Sequence, residues 1–386
     1  MTIKGSFLTN ACSSTDKSVM SSSSSVAMSS RRSLCLISPS LRMGGIERSL
    51  VTLAGYFSQM GFQVTFIPCL AKDAFYKLDS RVEVYEPDFE HTDSPLSRFA
   101  FYPRIILFIR RTIKMIDPDA VLVFGDLFSS IILFSLKGSK YPVYISDRTS
   151  PSFALRPSLR VLKRILYPGA AGFIAQTRIA ADYKTRQYGH RLNVAIIPNP
   201  LREVIKYPAI KREKIILYVG RLSWEKGPER LMRSFYDLTE RDGWQLHYAG
   251  TGPLLESMKA LASSLGISNE VVFSGKVHTI DKYYAKASIY VLPSLLEGFP
   301  NSLCEAMAAG LPCVCFDTIP YEELLTHGKD GIVINGDNPG ALTSALKSLM
   351  NDENLRTSLG LEAQKIQSRL NVEKVGQQVH DFIFGG

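Results

Sequence analysis

From residue 33 onward the sequence alternates between short apolar runs and longer amphipathic segments, in two successive series. The first series holds LCLIS (34–38), QVTFIPC (63–69), AVLVF (120–124), PVYIS (142–146), GFIAQ (172–176) and NVAIIP (193–198). The second holds KIILYVG (214–220), WQLHYAG (244–250), VVFSG (271–275), SIYVLP (288–293), PCVCF (312–316) and GIVI (331–334). Helix-like stretches such as 46–60 and 99–116 separate most of them. Near-continuous apolar strands divided by helices indicate parallel sheets covered on both faces, an α/β class. A Pro-rich join, Ile197-Pro198-Asn199-Pro200, divides the two series. The pattern predicts two Rossmann-like domains, 31–200 and 201–370, facing a cleft, followed by a C-terminal segment, 371–386. In such sheets ligands sit beyond the carboxyl ends of the strands, so the loops after each strand should carry the chemistry.

Residues 1–30 stand apart: eleven are Ser, and Ser21 to Ser25 are consecutive. They read as a disordered tail, and with no apolar region behind a basic start they do not read as a signal peptide. No apolar stretch approaches the ~20 residues of a membrane span. The six cysteines show no metal-finger spacing; Cys313 and Cys315 occupy alternate positions of an apolar run, as structural thiols in a reducing compartment do. Charge is unevenly spread. Residues 31–200 carry 23 basic and 13 acidic groups, residues 201–386 carry 20 and 22, so the first half should meet an anionic partner.

Three loops draw attention. Between the first strand and helix, Gly44-Gly45-Ile46-Glu47-Arg48 lets backbone approach a ligand and offers a helix N-terminus to a phosphate, or simply turns the chain. It is not GxGxxG, which leaves a nicotinamide cofactor little support. After the strand ending at Gly220, Arg221 and Lys226 precede a helix that Pro228 can open; they read as a pyrophosphate clamp or as two solvated cations. Gly250-Thr251-Gly252-Pro253 repeats the turn at the same topological place. The strongest signal is Glu297-Gly298-Phe299-Pro300-Asn301-Ser302-Leu303-Cys304-Glu305. Pro300 suits a helix start, leaving the amides of Asn301 to Leu303 free for an anion. Glu297 and Glu305 flank that point, and carboxylates suit sugar hydroxyls. A phosphate between two hydroxyl-bearing groups describes a nucleotide-sugar.

GGIE, GRLSWEKG, GTGP and the E-x7-E element Glu297–Glu305 resemble the retaining "group 1" glycosyltransferases of the GT-B fold. The resemblance is dense over 214–335 and sparser over 34–200. It implies a final helix returning to the first domain, and it gives Arg221 and Lys226 the donor pyrophosphate, assisted by backbone at Gly44, Gly45 and Gly298 to Leu303. It assigns Glu305 to the ribose hydroxyls and Glu297 to the donor sugar near the reacting centre. Lys276, Val277 and the Gly250–Gly252 turn would border base and ribose. Many relatives carry a His after the strand 120–124; here Gly125-Asp126 stands instead, so Asp126 is a substitute candidate. Arg148, in Ser146-Asp147-Arg148-Thr149, either meets an acceptor or phosphate or pairs with Asp147 on the surface.

The implied function is transfer of a sugar from a UDP- or GDP-linked donor to a lipid-linked glycan, with retention, in bacterial surface polysaccharide synthesis. Alternatives are another GT-B enzyme, such as a nucleotide-sugar 2-epimerase, or a non-catalytic nucleotide-sugar binder. No cofactor, metal or nucleic acid is expected. Asp117-Pro118-Asp119 matches DxD formally but precedes its strand, at the wrong end of the sheet. Phe153 to Pro168 places Arg156, Arg160, Lys163 and Arg164 at helical spacing beside Leu159, Leu162, Ile165 and Leu166. Arg104, Arg110, Arg111 and Lys114 accompany Ile105–Ile109. Such segments suit an anionic bilayer or are helices with cores inward and cations outward. The expectation is a cytoplasmic enzyme, peripheral on the inner membrane face and facing a polyprenyl-diphosphate acceptor.

Overall fold

The computed structural model describes residues 31–42, 44–70, 74–89, 95–151 and 156–385. The Ser-rich tail and part of the stretch starting at Phe153 lie outside the described residues. Seven strands form the first sheet: β1 (Ser33–Ser38), β2 (Gln63–Pro68), β3 (Glu83–Val84), β4 (Ala120–Phe124), β5 (Val143–Ser146), β6 (Gly172–Ala175) and β7 (Val194–Ile196). Six form the second: β8 (Ile215–Val219), β9 (Gln245–Ala249), β10 (Val271–Gly275), β11 (Ile289–Leu292), β12 (Cys313–Phe316) and β13 (Ile332–Ile334). Their spatial orders are β3-β2-β1-β4-β5-β6-β7 and β10-β9-β8-β11-β12-β13. Every named pairing is parallel. Each order reverses at its first strand, so crevices open at β1/β4 and β8/β11.

The helices of the first half are α1 (Gly45–Gln59), α2 (Pro95–Ile116), α3 (Asp126–Ser135), α4 (Pro157–Leu166) and α5 (Arg178–Tyr188). Those of the second are α6 (Pro228–Tyr236), α7 (Leu255–Ser264), α8 (Ile280–Lys286), α9 (Asn301–Ala308), α10 (Pro339–Asn351), α11 (Glu353–Ala363), α12 (Ile366–Leu370) and α13 (Val372–Phe384). The sheets are buried on both faces, which is why their strands read as unbroken apolar runs. Cys35, Ile37, Val121 and Val123 face one core with α2 and α3. Their neighbours Leu34, Leu36, Leu122 and Phe124 face another with α1. In β12, Val314 and Phe316 face one side and Cys313 and Cys315 the other.

Helix α13 returns to the first domain. Val375, Val379 and Ile383 pack with Leu50, Leu53 and Phe57 of α1, and the Tyr144 hydroxyl donates to the Ile383 carbonyl at 3.0 Å.

Two expectations about basic surfaces change. In α2 the apolar stretch is core: Ile105, Ile109 and Ile113 are buried, Arg104 lies 4.5 Å from the Phe89 ring centre, and Arg110 donates to the Ser135 carbonyl. In α4, Lys163 points inward. Leu159, Lys163 and Leu166 are spaced i, i+4, i+7 and so share one helix face; Lys163 and Leu166 are buried there. Arg156, Arg160 and Arg164 remain exposed, beside Val161 at 59% and Ile165 at 65% exposure.

Candidate active site

Loops at the carboxyl ends of both sheets enclose a cleft of about 1410 Å³. The first sheet contributes Gly44 and Gly45 after β1, and Arg148 and Thr149 after β5. The second contributes Arg221 and Lys226 after β8, Gly250 to Pro253 after β9, Val277 and His278 after β10, and Glu297 to Phe299 after β11, with Asn301, Ser302 and Glu305 on α9. Close approach fixes several glycines. A Cβ on Gly298 would collide with the Arg148 carbonyl, and one on Gly45 would stand 2.6 Å from Asn301 Nδ2. The two domains therefore meet backbone to backbone at the mouth of α9.

On the second-domain wall, Lys226 Nζ pairs with Glu297 Oε1 at 2.7 Å, and Ser294 Oγ donates to the same oxygen at 2.9 Å. Gly227, at φ 61°, turns the chain so that Pro228 begins α6. Arg221 is exposed on the cleft wall. At the start of α9 the amides are partly used. Asn301 N–H donates to the Phe299 carbonyl at 3.0 Å and Leu303 N–H to Pro300 at 3.1 Å. Of the three expected anion-binding amides, Ser302 alone keeps its N–H without a described carbonyl partner. The Ser302 hydroxyl accepts from Tyr290 at 2.8 Å. Pro300 and Leu303 are buried behind this surface and are absent from the cleft lining.

Glu305, 2% exposed, is expected to be free for ribose hydroxyls; instead three partners surround it. Arg48 Nη1 contacts Oε1, while Arg202 Nη2 and the Tyr284 hydroxyl each lie 3.2 Å from Oε2. Arg202 also grips Asp281 through two bonds of 2.9 and 2.6 Å. Sequence reasoning missed Arg48, Arg202 and Asp281. Arg48 directly follows the GGIE element, and Arg202 directly follows the Pro-rich join; that adjacency was the available signal.

The first-domain wall centres on Arg148 and Asn199. Arg148 is buried at 9% exposure, with its guanidinium carbon 3.3 Å from the Phe124 ring centre and Nη1 on Asn199 Oδ1. Its Nε has no hydrogen-bond partner, and burial pushes its acidity well below the usual arginine value. Asn199 Oδ1 also accepts from Gln176 at 2.9 Å, and its Nδ2 donates to Asn301 at 2.9 Å, linking the domains.

The alternative of a surface pair with Asp147 does not hold. Asp147 lies between Lys163, Lys184 and the Tyr167 hydroxyl, at 2.9, 2.5 and 2.6 Å. Burial alone would raise its carboxyl; Lys184 and Lys163 outweigh that and hold it below the ordinary range. Asp126 is likewise engaged, by Lys163 and by the Thr149 hydroxyl at 2.9 Å, and is not among the cleft-lining residues. It positions the Arg148 loop and does not replace the family His. Lys276 also leaves the cleft wall; its ammonium stands 4.8 Å from the Phe75 ring centre. Asp117 pairs with Lys140 at 2.7 Å and Asp119 accepts from Ser33, both before β4 and away from the cleft. Among the described residues no group of three or more His, Cys, Asp or Glu side chains is placed to hold a metal ion.

Two family models match the chain: "Glycosyltransferase Family 4" over residues 43–202 and "Glycosyl transferases group 1" over residues 202–366. The GalNAc-alpha-(1->4)-GalNAc-alpha-(1->3)-diNAcBac-PP-undecaprenol alpha-1,4-N-acetyl-D-galactosaminyltransferase of Campylobacter jejuni is 27% identical over 334 residues, covering 84% of this chain and 91% of that one. The amylovoran biosynthesis glycosyltransferase AmsD of Erwinia amylovora is 25% identical, covering 91% and 99%. Among solved structures, Anabaena HepE in complex with UDP-glucose matches in fold, with a TM-score of 0.75 and 17% identity over 92% of this chain and 100% of that one.

Proposed function

The chain belongs to the group 1 glycosyltransferases of the GT-B fold, and we propose that it moves a sugar from a nucleoside-diphosphate donor to a lipid-linked glycan with retention of configuration. One observation carries this reading: Lys226, Glu297, Glu305 and the start of α9 converge at one place in the cleft. Arg221, Lys226 and the Ser302 amide would stabilise charge growing on the departing diphosphate. In a front-face substitution the leaving phosphate oxygen takes the proton of the acceptor hydroxyl as the new glycosidic bond forms. No side-chain base is required, and no metal is proposed. Glu297 would hold hydroxyls of the transferring sugar, and Glu305 the ribose.

The acceptor end of the cleft is Arg148. A buried guanidinium without a carboxylate partner and with an unsatisfied Nε suits an anionic group, which a diphosphate linkage provides. Exposed Val161 and Ile165 on α4, flanked by Arg156, Arg160 and Arg164, suit the surface of an anionic bilayer. No helix among the described residues is long and apolar enough to cross a membrane. Peripheral docking at the inner face of the cytoplasmic membrane would bring a polyprenyl-diphosphate-linked acceptor to that wall. The relatives from Campylobacter and Erwinia, named for an undecaprenol-linked acceptor and for amylovoran synthesis, support a role in bacterial surface glycan assembly.

A donor-by-acceptor screen tests this: UDP- and GDP-sugars against polyprenyl-diphosphate-linked and soluble acceptors, each with and without EDTA. Transfer to the lipid-linked acceptors that survives EDTA is the expected result. Epimerised donor without transfer overturns the reading in favour of a 2-epimerase. EDTA inactivation reversed by Mn²⁺ overturns the metal-free mechanism.

A further inference from the structure

Glu305 is linked through Arg48 to a loop of the first domain. Arg48 Nε donates to the Tyr76 hydroxyl at 3.3 Å, and that hydroxyl donates to the Gly44 carbonyl at 3.1 Å. The Phe75 amide donates to the Leu41 carbonyl at 2.9 Å. The loop after β2 is thereby tied down at consecutive residues over the second domain. Its Phe75 ring stacks on the His278 imidazole, with ring centres 5.1 Å apart and planes inclined by 26°. Tyr76 meets Phe75 edge-on at 5.0 Å, and Lys276 Nζ lies 4.8 Å from the Phe75 centre. Phe75 is half-buried and His278 exposed, and both line the cleft.

We propose that Phe75 and His278 form an aromatic seat for the donor's nucleobase, so that the first domain reads a nucleotide whose ribose and diphosphate are held by the second. This rests on the donor reading above. With the diphosphate at Lys226 and the ribose at Glu305, the base continues along the cleft towards Val277 and His278. There it meets the only stacked aromatic pair that bridges the two domains among the described cleft residues. Every base has a π-face, so such a seat accepts purines or pyrimidines by stacking. The seat also makes closure sense the donor: base stacking adds contact between the domains at the place where Tyr76 already joins the Gly44 loop to Arg48.

Titration calorimetry with UDP, GDP and ribose 5-diphosphate tests the assignment on wild type, Phe75→Leu, Phe75→Tyr and His278→Ala. Neither position is core, so these substitutions empty no buried cavity. Phe75→Leu and His278→Ala are expected to weaken the nucleotide that wild type binds by about tenfold. Phe75→Tyr should retain it, and ribose 5-diphosphate, which has no base, should bind all four proteins alike. Equal weakening of nucleotide and ribose 5-diphosphate would show that the rings only hold the domains together, and overturns the proposal. Unchanged nucleotide affinity in Phe75→Leu overturns it as well while leaving the donor reading standing. Failure of wild type to bind either nucleotide removes both.

Discussion

Replacing Glu305 by Ala perturbs two things at once, and the structure separates them. The carboxylate side chain is 3% exposed, whereas Arg48 and Arg202 retain 27% and 22%. Breaking a buried ion pair by deleting one partner costs about 3–5 kcal/mol. The low end applies, because both arginines reach water and Arg202 keeps Asp281 at 2.6 Å. Chemical denaturation should therefore show a loss of about 3 kcal/mol. UDP binding should weaken separately through the lost ribose bond, by about 1.5–3 kcal/mol, or roughly ten- to a hundredfold. The double variant Arg48→Met/Glu305→Ala removes the stranded cation, so it should regain part of the stability and none of the affinity. Glu297→Ala should weaken UDP less, since Glu297 is assigned to the transferring sugar. Glu305→Ala with wild-type UDP affinity by calorimetry would refute the ribose assignment, and unchanged unfolding would refute the weight given to the network.

Arg221→Ala and Lys226→Ala should each lower kcat strongly with melting curves near wild type, because both meet charge that grows in the transition state; near-normal initial rates in both would remove the clamp. In vesicle flotation at low salt, neutralising Arg156, Arg160 and Arg164 together should release the protein from anionic liposomes, and retention by those liposomes would sink the α4 docking. Lys163→Met belongs to a different experiment: it strips Asp126 and Asp147 of a shared buried cation, so it should lower stability rather than membrane affinity.

The fold was legible because both sheets are buried on two faces, and a two-sided parallel strand leaves an unbroken apolar run in the sequence. Strand β3 escaped notice because two exposed residues, Glu83 and Val84, leave no such run. The loops around Gly44, Lys226 and Glu297 were legible because a turn glycine and a helix-opening proline have local conformational causes. What the sequence hid are partnerships across long separations. Arg48 reaches Glu305 from the other domain, Asn199 gathers Arg148, Gln176 and Asn301, and Phe75 finds His278. Lys163 was a different kind of miss. Its i, i+4, i+7 relation with Leu159 and Leu166 already placed it on the buried face, and grouping it with the nearby arginines by charge obscured that.

The excess positive charge of residues 31–200 thus has two destinations that a net count merges. Lys163 and Lys184 are turned inward, where Asp126 and Asp147 neutralise them and where they hold the loops after β4 and β5 in place. Arg148 is carried by the second of those loops, buried against Phe124 and short of a carboxylate. The cations of α4 that remain outside stand on the same helix that supplies Lys163. A force on α4 from a lipid surface is therefore passed by one side chain to Asp126 and Asp147, and from them to the backbone that meets Gly298 beside Glu297. The basic half does more than attract an anionic partner: its buried members connect the docking helix to the wall of the cleft where transfer would occur.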